Sequence, residues 1–426
     1  MTHTGTFAQL NEDALKFLEL CDGTNTIEDV TNTLAKEYPE DPEVKEMART
    51  FLDQLKEKNL IEFAPEKTRE PRKIHPEADL FTPLQNVYIE CTNACNLRCL
   101  HCYNNSGPKP ENELTTEEIK KIIDETAKLH ALNIIFTGGE PFVREDIFEL
   151  MEYTRRKPMS VIMFTNGFLM NEEAADRIKN LEILRILVSL DGARPETHDK
   201  FRGVPGAFQR TKKAIKLLTE RGVNVTIDTC INRLNKEEIP QILQLIKDLG
   251  AKEYIMGPMY SAGRAEKRID DYGITFDEYQ RLVKPIREWE KKVFGMDKVS
   301  VRPNPLSNCG IGMRSIVIKA DGTFIPCTSA DPQRFSLGNV RKDSIKKVWN
   351  NSITLNEIRK IDLGNNKKCR ECTHFSYCKG GCRLTAYQAL GDVTLPDPTA
   401  CIYYCGIAAD ISMATEESQT ISFEVR

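Results

Sequence analysis

The residues best suited to chemistry in this sequence are cysteines. Of the 14 present, eleven fall into two groups whose spacings are those of metal ligands. The first group lies in CTNACNLRCLHCYN, residues 91–104, and sets Cys95, Cys99 and Cys102 in the pattern CxxxCxxC. Three thiolates can hold three irons of a [4Fe-4S] cube and leave the fourth iron open to a small molecule. A structural zinc or cluster site normally has four protein ligands. Taken alone, the three-cysteine spacing leaves a structural zinc or an electron-relay cluster as alternatives. The second group opens with CGIGMRSIVIKADGTFIPC, from Cys309 to Cys327, with Gly322 five residues before Cys327. It continues in CRECTHFSYCKGGC with Cys369, Cys372, Cys378 and Cys382, and ends with Cys401 and Cys405. A double zinc ribbon is its bland alternative.

The elements that would position these groups can be read from the patterning. Residues 11–20 place Leu15, Phe17, Leu18 and Leu20 on a helical face, stopped by the DGT at 22–24. A second helix is expected from Ile27 to Tyr38 with Thr26 as its N-cap, and a third from Asp41 to Lys58. The stretch 64–83 holds four prolines and many charges and reads as a linker. Six apolar runs then alternate with helical segments: NVYIEC (86–91), NIIFTG (133–138), SVIMFTN (160–166), LRILVSLD (184–191), VNVTIDTCI (223–231) and KEYIMGP (252–258). The helix after the first run opens on the capping-box pair Thr115 and Glu118. Unalternating strands between helices predict a parallel sheet wrapped into a full or partial barrel, with chemistry at the C-terminal strand ends. A mostly helical passage follows at 275–294. From Cys309 to Cys405 little apolar periodicity remains, so metal centres are expected to replace a hydrophobic core there.

Composition narrows the class. Apolar residues make up 40% and charged residues 29%, with a net charge of -4 and no block of like charges, so neither a nucleic acid nor a membrane surface is indicated as a partner. No run approaches the ~18 uncharged apolar residues of a membrane span. The N-terminal residues lack the basic start and apolar run of a secretory signal, which predicts a cytoplasmic location where clustered thiols stay reduced.

With the first cysteine group directly after the first strand, aromatic Tyr103 after its last cysteine, and GGEP at Gly138, Gly139, Glu140 and Pro141 after the second strand, the sequence resembles the radical S-adenosylmethionine (AdoMet) superfamily. The resemblance implies that AdoMet chelates the open iron through its amino and carboxylate groups, with the GGEP backbone and Glu140 contacting the amino group. Exposed glycine backbone and a carboxylate facing an ammonium make chemical sense of that. It further implies that Thr165 and Asn166, Ser189 and Asp191, and Thr229 and Asn232, at the ends of the third, fourth and fifth strands, reach the AdoMet carboxylate, ribose or adenine. A one-electron reduction of the sulfonium would then yield a 5'-deoxyadenosyl radical, able to take hydrogen from an unactivated carbon where acid-base catalysis could not.

The second cysteine group resembles the SPASM extension of radical AdoMet enzymes that act on peptides. By position, that implies one auxiliary [4Fe-4S] cluster on Cys309, Cys327 and Cys382, with its fourth corner open or filled by a non-cysteine group. A second auxiliary cluster would sit on Cys369, Cys372, Cys378 and Cys401, with Cys405 as an alternative to Cys401. Cys21, Cys230 and Cys91 are left over, Cys91 lying nearest the chemistry. The segment LNEDALKFLELCDGTNTIEDVTNTLAKEY resembles PqqD-like domains, which bind a leader peptide along a sheet edge. Only about ten residues precede its first helix, so the usual first strands are missing or shortened.

The fold class expected is therefore α/β, a partial (β/α)6 TIM-type barrel with an N-terminal helical wing and a C-terminal loop-rich iron-sulfur SPASM domain. The divisions fall at 1–65, a linker at 66–84, 85–300 and 301–426. The leading functional expectation is a maturase that forms a thioether or other crosslink in a ribosomally made peptide carrying a leader, with flavodoxin or ferredoxin as reductant. An enzyme acting on a tetrapyrrole or other small molecule, and a multi-cluster electron carrier, are the alternatives.

Overall fold

The computed structural model describes residues 17–40, 43–57, 63, 67, 83–295 and 309–405. The chain separates into two compact units, Met1–Asp79 and Leu80–Arg426. In the first, α1 (Ile27–Glu37) begins at Thr26, whose hydroxyl accepts from the Asp29 N–H at 3.1 Å while the Asp29 carboxylate accepts from the Thr26 N–H at 2.9 Å. This reciprocal cap satisfies two of the N–H groups that a helix start leaves unpaired. α2 (Val44–Glu57) packs on α1, and Phe17, Val30, Leu34, Ala48 and Leu52 form the small core between them. Of the helix expected over 11–20, residues 17–19 are helical, and the remainder, like most of the expected linker, lies outside the described residues.

The second unit is built on six strands: β1 (Asn86–Thr92), β2 (Asn133–Gly138), β3 (Ser160–Thr165), β4 (Arg185–Ser189), β5 (Val225–Ile231) and β6 (Glu253–Pro258). The helices between them are α3 (Thr116–Lys128), α4 (Ile147–Arg155), α5 (Glu172–Asn180), the pair α6 (Pro195–Arg202) and α7 (Ala207–Glu220), and α8 (Ile239–Asp248). All six strands run parallel in sequence order, and the register sets Asn86 opposite Asn133 and Asn133 opposite Ser160. Strands that begin level also end level, so their C-terminal ends form one rim. Val87, Ile89, Ile134, Phe136, Val161 and Ile186 are completely buried, as solid apolar runs must be in a sheet covered on both faces.

The sheet stays open. At one edge β6 is half-buried, with Ile255 50% exposed. At the other, β1 pairs in parallel with β7 (Ser315–Ile318), which continues antiparallel through β8 (Thr323–Ile325) to β9 (Gly338–Asn339), giving nine strands. The helix α9 (Phe276–Phe294) carries the Thr275 and Glu278 capping box and packs on α8 through the core around Ile239, Leu243 and Tyr279. Among the described residues, no helix is long and apolar enough to cross a membrane.

One expectation is corrected. The segment after Cys309 has a hydrophobic core of its own, formed by Ile311, Val317, Ile325, Phe335, Ile358, Leu363 and Leu384. Ile316, Ile318 and Phe324, together with Ile345, Val348 and Trp349 of α10 (Ile345–Asn351), also join the main core. These apolar groups sit on strands and helices too short to show a period, which is why patterning missed them. Trp349 is fully buried, its ring 4.4 Å from the Arg359 guanidinium, and Arg359 donates to the Gly312 carbonyl at 2.7 Å. Trp349→Ala is expected to cost about 3–5 kcal/mol in denaturant unfolding of the metal-free protein, the usual range for removing a buried large aromatic. A loss below about 1 kcal/mol would mean that metal, not packing, holds this region.

Candidate active site

The rim formed by the strand ends carries the first cysteine group. The loop after β1 is tied to three other segments. Toward the GGEP turn, Gly139 N–H donates to the Thr92 carbonyl at 2.8 Å and Glu140 N–H to the Ala94 carbonyl at 2.9 Å. Toward the end of α6, Arg98 and Leu100 N–H groups donate to the carbonyls of Arg202 and Phe201 at 3.1 and 2.9 Å. From beyond β6, Arg264 donates through its backbone to the Cys102 carbonyl at 2.9 Å, and through its guanidinium to the carbonyls of Cys99 at 2.8 Å and Ser106 at 2.7 Å. The contact with the turn is close enough to exclude any side chain. A Cβ on Gly138, which has φ +124°, would stand 2.3 Å from the Thr92 carbonyl oxygen, and one on Gly139 2.1 Å from that of Ala94.

The three thiols are surrounded by N–H donors. Leu97 N–H points to Cys95 Sγ at 3.4 Å, Ser106 N–H to Cys102 Sγ at 3.4 Å, and Arg202 Nη1 to Cys99 Sγ at 3.8 Å. Burial pushes the Cys95 thiol up to about 11 and raises that of Cys99, so both stay protonated until a cation arrives. Among the described residues no three or more His, Cys, Asp or Glu side chains could hold a single metal ion. A cubane offers each thiolate its own iron, so its ligands need not converge on one point. Thiols ringed by N–H donors suit an anionic-sulfur cube, and the residues therefore fit the cluster.

A cavity of about 340 Å³ adjoins the thiols, within the usual size of ligand sites. The three cysteines line it, as do Tyr103, Gly138 and Gly139, Thr165 and Asn166, Ser189 and Thr229. Four other expected residues stand behind this wall. Glu140 is fully buried, its carboxylate accepting from Thr165 Oγ1 and the Asn166 N–H, each at 2.7 Å, and Pro141 follows it in the turn. Asp191 is fully buried, 2.6 Å from Arg202 Nη2, and accepts from the Cys230 N–H at 2.8 Å. Asn232 binds the Cys230 carbonyl and the Leu234 N–H at 2.9 Å each. Glu140 thus locks the end of β2 to the end of β3, while Asp191 holds Arg202 against Cys99.

Several cavity residues were not anticipated. Arg202, Arg264, Asp228, Tyr260 and His101 all line it. His101 stacks on Phe201 at 4.2 Å between ring centroids, burial holds it neutral, and its Nδ1 is a buried atom without a hydrogen-bond partner. The last feature is what a site shaped for a polar ligand leaves behind. Burial, aided by the Asp191 carboxylate, pushes Asp228 up to about 6. In sequence these residues are an arginine closing a short helix, an acid in a strand and a histidine inside the cysteine motif, and none has a period or spacing that marks it. Cys230 also lines the cavity, whereas Cys91 is buried in the core with its Sγ directed at the Thr137 carbonyl. The leftover cysteine facing the chemistry is therefore Cys230.

The second cysteine set forms two neighbourhoods. Cys309, Cys327 and Cys382 act on one another electrostatically, and burial lifts Cys327 to about 11. Cys369 is similarly lifted to about 12 by burial, with Cys401, Cys378 and Cys372 each raising it further. The loop between the sets is held by fully buried Arg383, which donates to the carbonyls of Val393 at 3.0 Å and Leu395 at 2.8 Å. The side chain of Cys405 lies outside the described residues.

Glu140 yields a pH prediction. Burial raises its carboxyl to about 7 despite the hydrogen bonds that favour the charged form. A folded-state value above the unfolded one stabilises the fold at low pH, and that stabilisation is lost as pH rises through about 7. In thermal unfolding of the cluster-free protein, Glu140→Gln is expected to flatten the decline between pH 4.5 and about 7. Parallel wild-type and variant profiles would contradict this.

Comparison with known proteins gives three family matches: the radical SAM superfamily over residues 89–246, the SPASM iron-sulfur cluster-binding domain over 309–373, and coenzyme PQQ synthesis protein D (PqqD) over 1–61. The chain is 31% identical over 343 residues to the AdoMet-dependent heme synthase of Methanosarcina barkeri, covering 74% of this chain and 96% of that protein. It is 30% identical over 395 residues to the antilisterial bacteriocin subtilosin biosynthesis protein AlbA of Bacillus subtilis, covering 89% and 85%. Among solved structures, Streptococcus suis SuiB bound to precursor peptide SuiA matches with a TM-score of 0.66 at 15% identity, over 92% of this chain and 93% of that one, a likeness of fold. A cysteine loop stitched to a glycine turn at the rim of an open parallel sheet, with these matches along the chain, establishes that the protein belongs to the radical SAM superfamily, as an enzyme with PqqD and SPASM domains whose cofactors are AdoMet, a [4Fe-4S] cluster and auxiliary clusters.

Proposed function

We propose that the protein matures a ribosomally made peptide, abstracting hydrogen from it to form a thioether or another crosslink. The observation carrying this reading is the PqqD match at residues 1–61 in the same chain as the SPASM match. Domains of the first kind bind a peptide as an added strand, and backbone hydrogen bonding of that sort asks little of the side chains. Similarity to a bacteriocin biosynthesis protein, and a shared fold with a structure containing a precursor peptide, point the same way. The heme synthase similarity supports a second reading, a tetrapyrrole substrate, and the experiment below separates the two.

Bound together, the cluster and AdoMet supply hydrogen-atom abstraction from an unactivated carbon. In this reading Cys95, Cys99 and Cys102 hold the cube. Gly138 and Gly139 admit AdoMet against the backbone, and Tyr103, Thr165, Asn166, Ser189 and Thr229 surround it. Glu140, Pro141, Asp191 and Asn232 shape that wall from behind. Arg202 compensates charge on Cys99, and the buried walls keep water from the reacting carbon. Cys309, Cys327 and Cys382 carry one auxiliary cluster, and Cys369, Cys372, Cys378 and Cys401 the other. Electrons come from a flavodoxin or ferredoxin.

Anaerobically reconstituted protein given AdoMet and dithionite is expected to release 5'-deoxyadenosine, and Cys95→Ala, Cys99→Ala or Cys102→Ala to reduce that release to the level of the enzyme-free mixture. Adding a short peptide encoded beside the gene should give a product lighter by the mass of two hydrogens. Conversion of a porphyrin with the peptide left intact would establish the second reading instead.

A further inference from the structure

A second cavity, of about 560 Å³, adjoins the first and shares Tyr103, Ala262, Thr328 and Ser329 with it. Its charge is one-sided. Glu90, Glu113, Glu266, Asp321 and Asp331 line it against the single ammonium of Lys319. That ammonium is already committed, 2.8 Å from Glu90 Oε2 and donating to Asn104 Oδ1 at 2.6 Å. Three of the remaining acids meet neutral donors: Glu113 accepts from the Thr92 hydroxyl at 3.0 Å, Asp321 from the Thr323 N–H at 3.0 Å, and Asp331 from the Gln333 N–H at 2.9 Å. Among the described residues Glu113 and Asp331 form no ion pair, while Asp321 has the Arg341 guanidinium near it, itself paired with Glu118 at 2.7 Å.

Glu90 supplies an independent observation. It is completely buried on β1 at the floor of this cavity, and its Oε2 also accepts from Asn104 Nδ2 at 2.9 Å. Its Oε1 is buried with no hydrogen-bond partner. A buried acceptor left unpaired is destabilising, and that penalty is removed when a ligand brings the missing donor. Gln333 and Gln388 on the same walls offer the paired donor and acceptor that a peptide group needs.

We propose that this cavity holds the substrate beside the reacting carbon, that it selects a peptide segment bearing ammonium and amide N–H groups over a carboxylate-rich ligand, and that Glu90 Oε1 accepts one of those N–H groups. The inference rests on the peptide reading above and adds the substrate's charge to it. Like charges close together near a protein surface repel, which turns away a polycarboxylate.

The test is calorimetric titration of the reconstituted holoenzyme with three probes: a capped hexapeptide alternating Lys and Gly, the matching Asp and Gly peptide, and the tetracarboxylate coproporphyrin III. The Lys peptide is expected to bind, and to lose about tenfold in affinity with the surface variant Asp321→Asn/Asp331→Asn, while the other two probes give no measurable heat of binding. Glu90→Gln, which turns an N–H donor toward the position of Oε1 while its oxygen faces Lys319, should weaken the Lys peptide by a similar factor. Equal binding of both peptides, no binding of the Lys peptide, or indifference of its affinity to the surface pair would overturn the charge selection while leaving the peptide reading intact. Unchanged affinity in Glu90→Gln would remove Glu90 from the site. Binding and conversion of coproporphyrin would instead bring down the peptide reading itself.

Discussion

The site depends on three sulfhydryl groups gathered at the mouth of a parallel sheet, Cys99 buried and Cys95 and Cys102 partly so. Burial favours the neutral thiol of Cys95, raised to about 11, and of Cys99, so the fold alone does not produce the thiolates that a metal needs there. The positive charge of iron has to displace the protons, which couples cluster loading to the local structure. What the fold provides beforehand is geometry. Two backbone N–H groups and the Arg202 guanidinium face the sulfurs, and they complement negative charge once it forms. The loop is then held from three sides by its own carbonyls and amides, and the approach to the Gly138–Gly139 turn is too tight for any Cβ. The glycines here answer to steric exclusion by neighbouring backbone as much as to contact with a ligand.

The two cavities that meet at Tyr103 have opposite electrostatic character. The one beside the thiols carries Arg202 and Arg264 against the single carboxylate of Asp228, whose affinity for a proton is raised. The other is dominated by carboxylates. On the substrate assignment proposed above, a cofactor carboxylate would be drawn toward the arginines and substrate N–H groups toward the acids. Electrostatics can therefore sort two ligands into adjacent spaces without a physical partition, and such sorting acts on specificity more than on raw affinity.

Much of this was legible in the sequence because the signals are local. Each of the six strands was found within two residues of its start, since β1 to β5 read as solid apolar runs, and the Thr115 helix start follows from a hydroxyl and a carboxylate three residues apart. The cysteine loop and the glycine turn are readable for the same reason. What the sequence does not show is non-local. The Glu140 carboxylate joins two strand ends, and no spacing reveals that Thr165 and Asn166 will stand 2.7 Å from it. Arg202 and Arg264 reach the cysteine loop from about 100 and 160 residues away in the chain, a relation that only the closed arrangement of the segments creates.

The C-terminal segment shows why an appended cluster domain can also be a wall of the active site. Pairing of β1 with β7 sets Ile89 opposite Ile318, so the next residues along, Glu90 and Lys319, come side by side and form their 2.8 Å ion pair. That pair is partly shielded from solvent, with Glu90 fully buried, and breaking such a pair by removing one partner is costly. The ion pair therefore reports on strand register: a slip of one residue would turn Lys319 to the other face of the sheet and leave Glu90 with an uncompensated buried charge. Because β7 also buries Ile316 and Ile318 in the main core, the hydrophobic contacts that fix the register and the acidic cavity that depends on it are inseparable. Apolar packing thus fixes the region holding the second cysteine set against the sheet, in register with the rim that carries the first cysteine group.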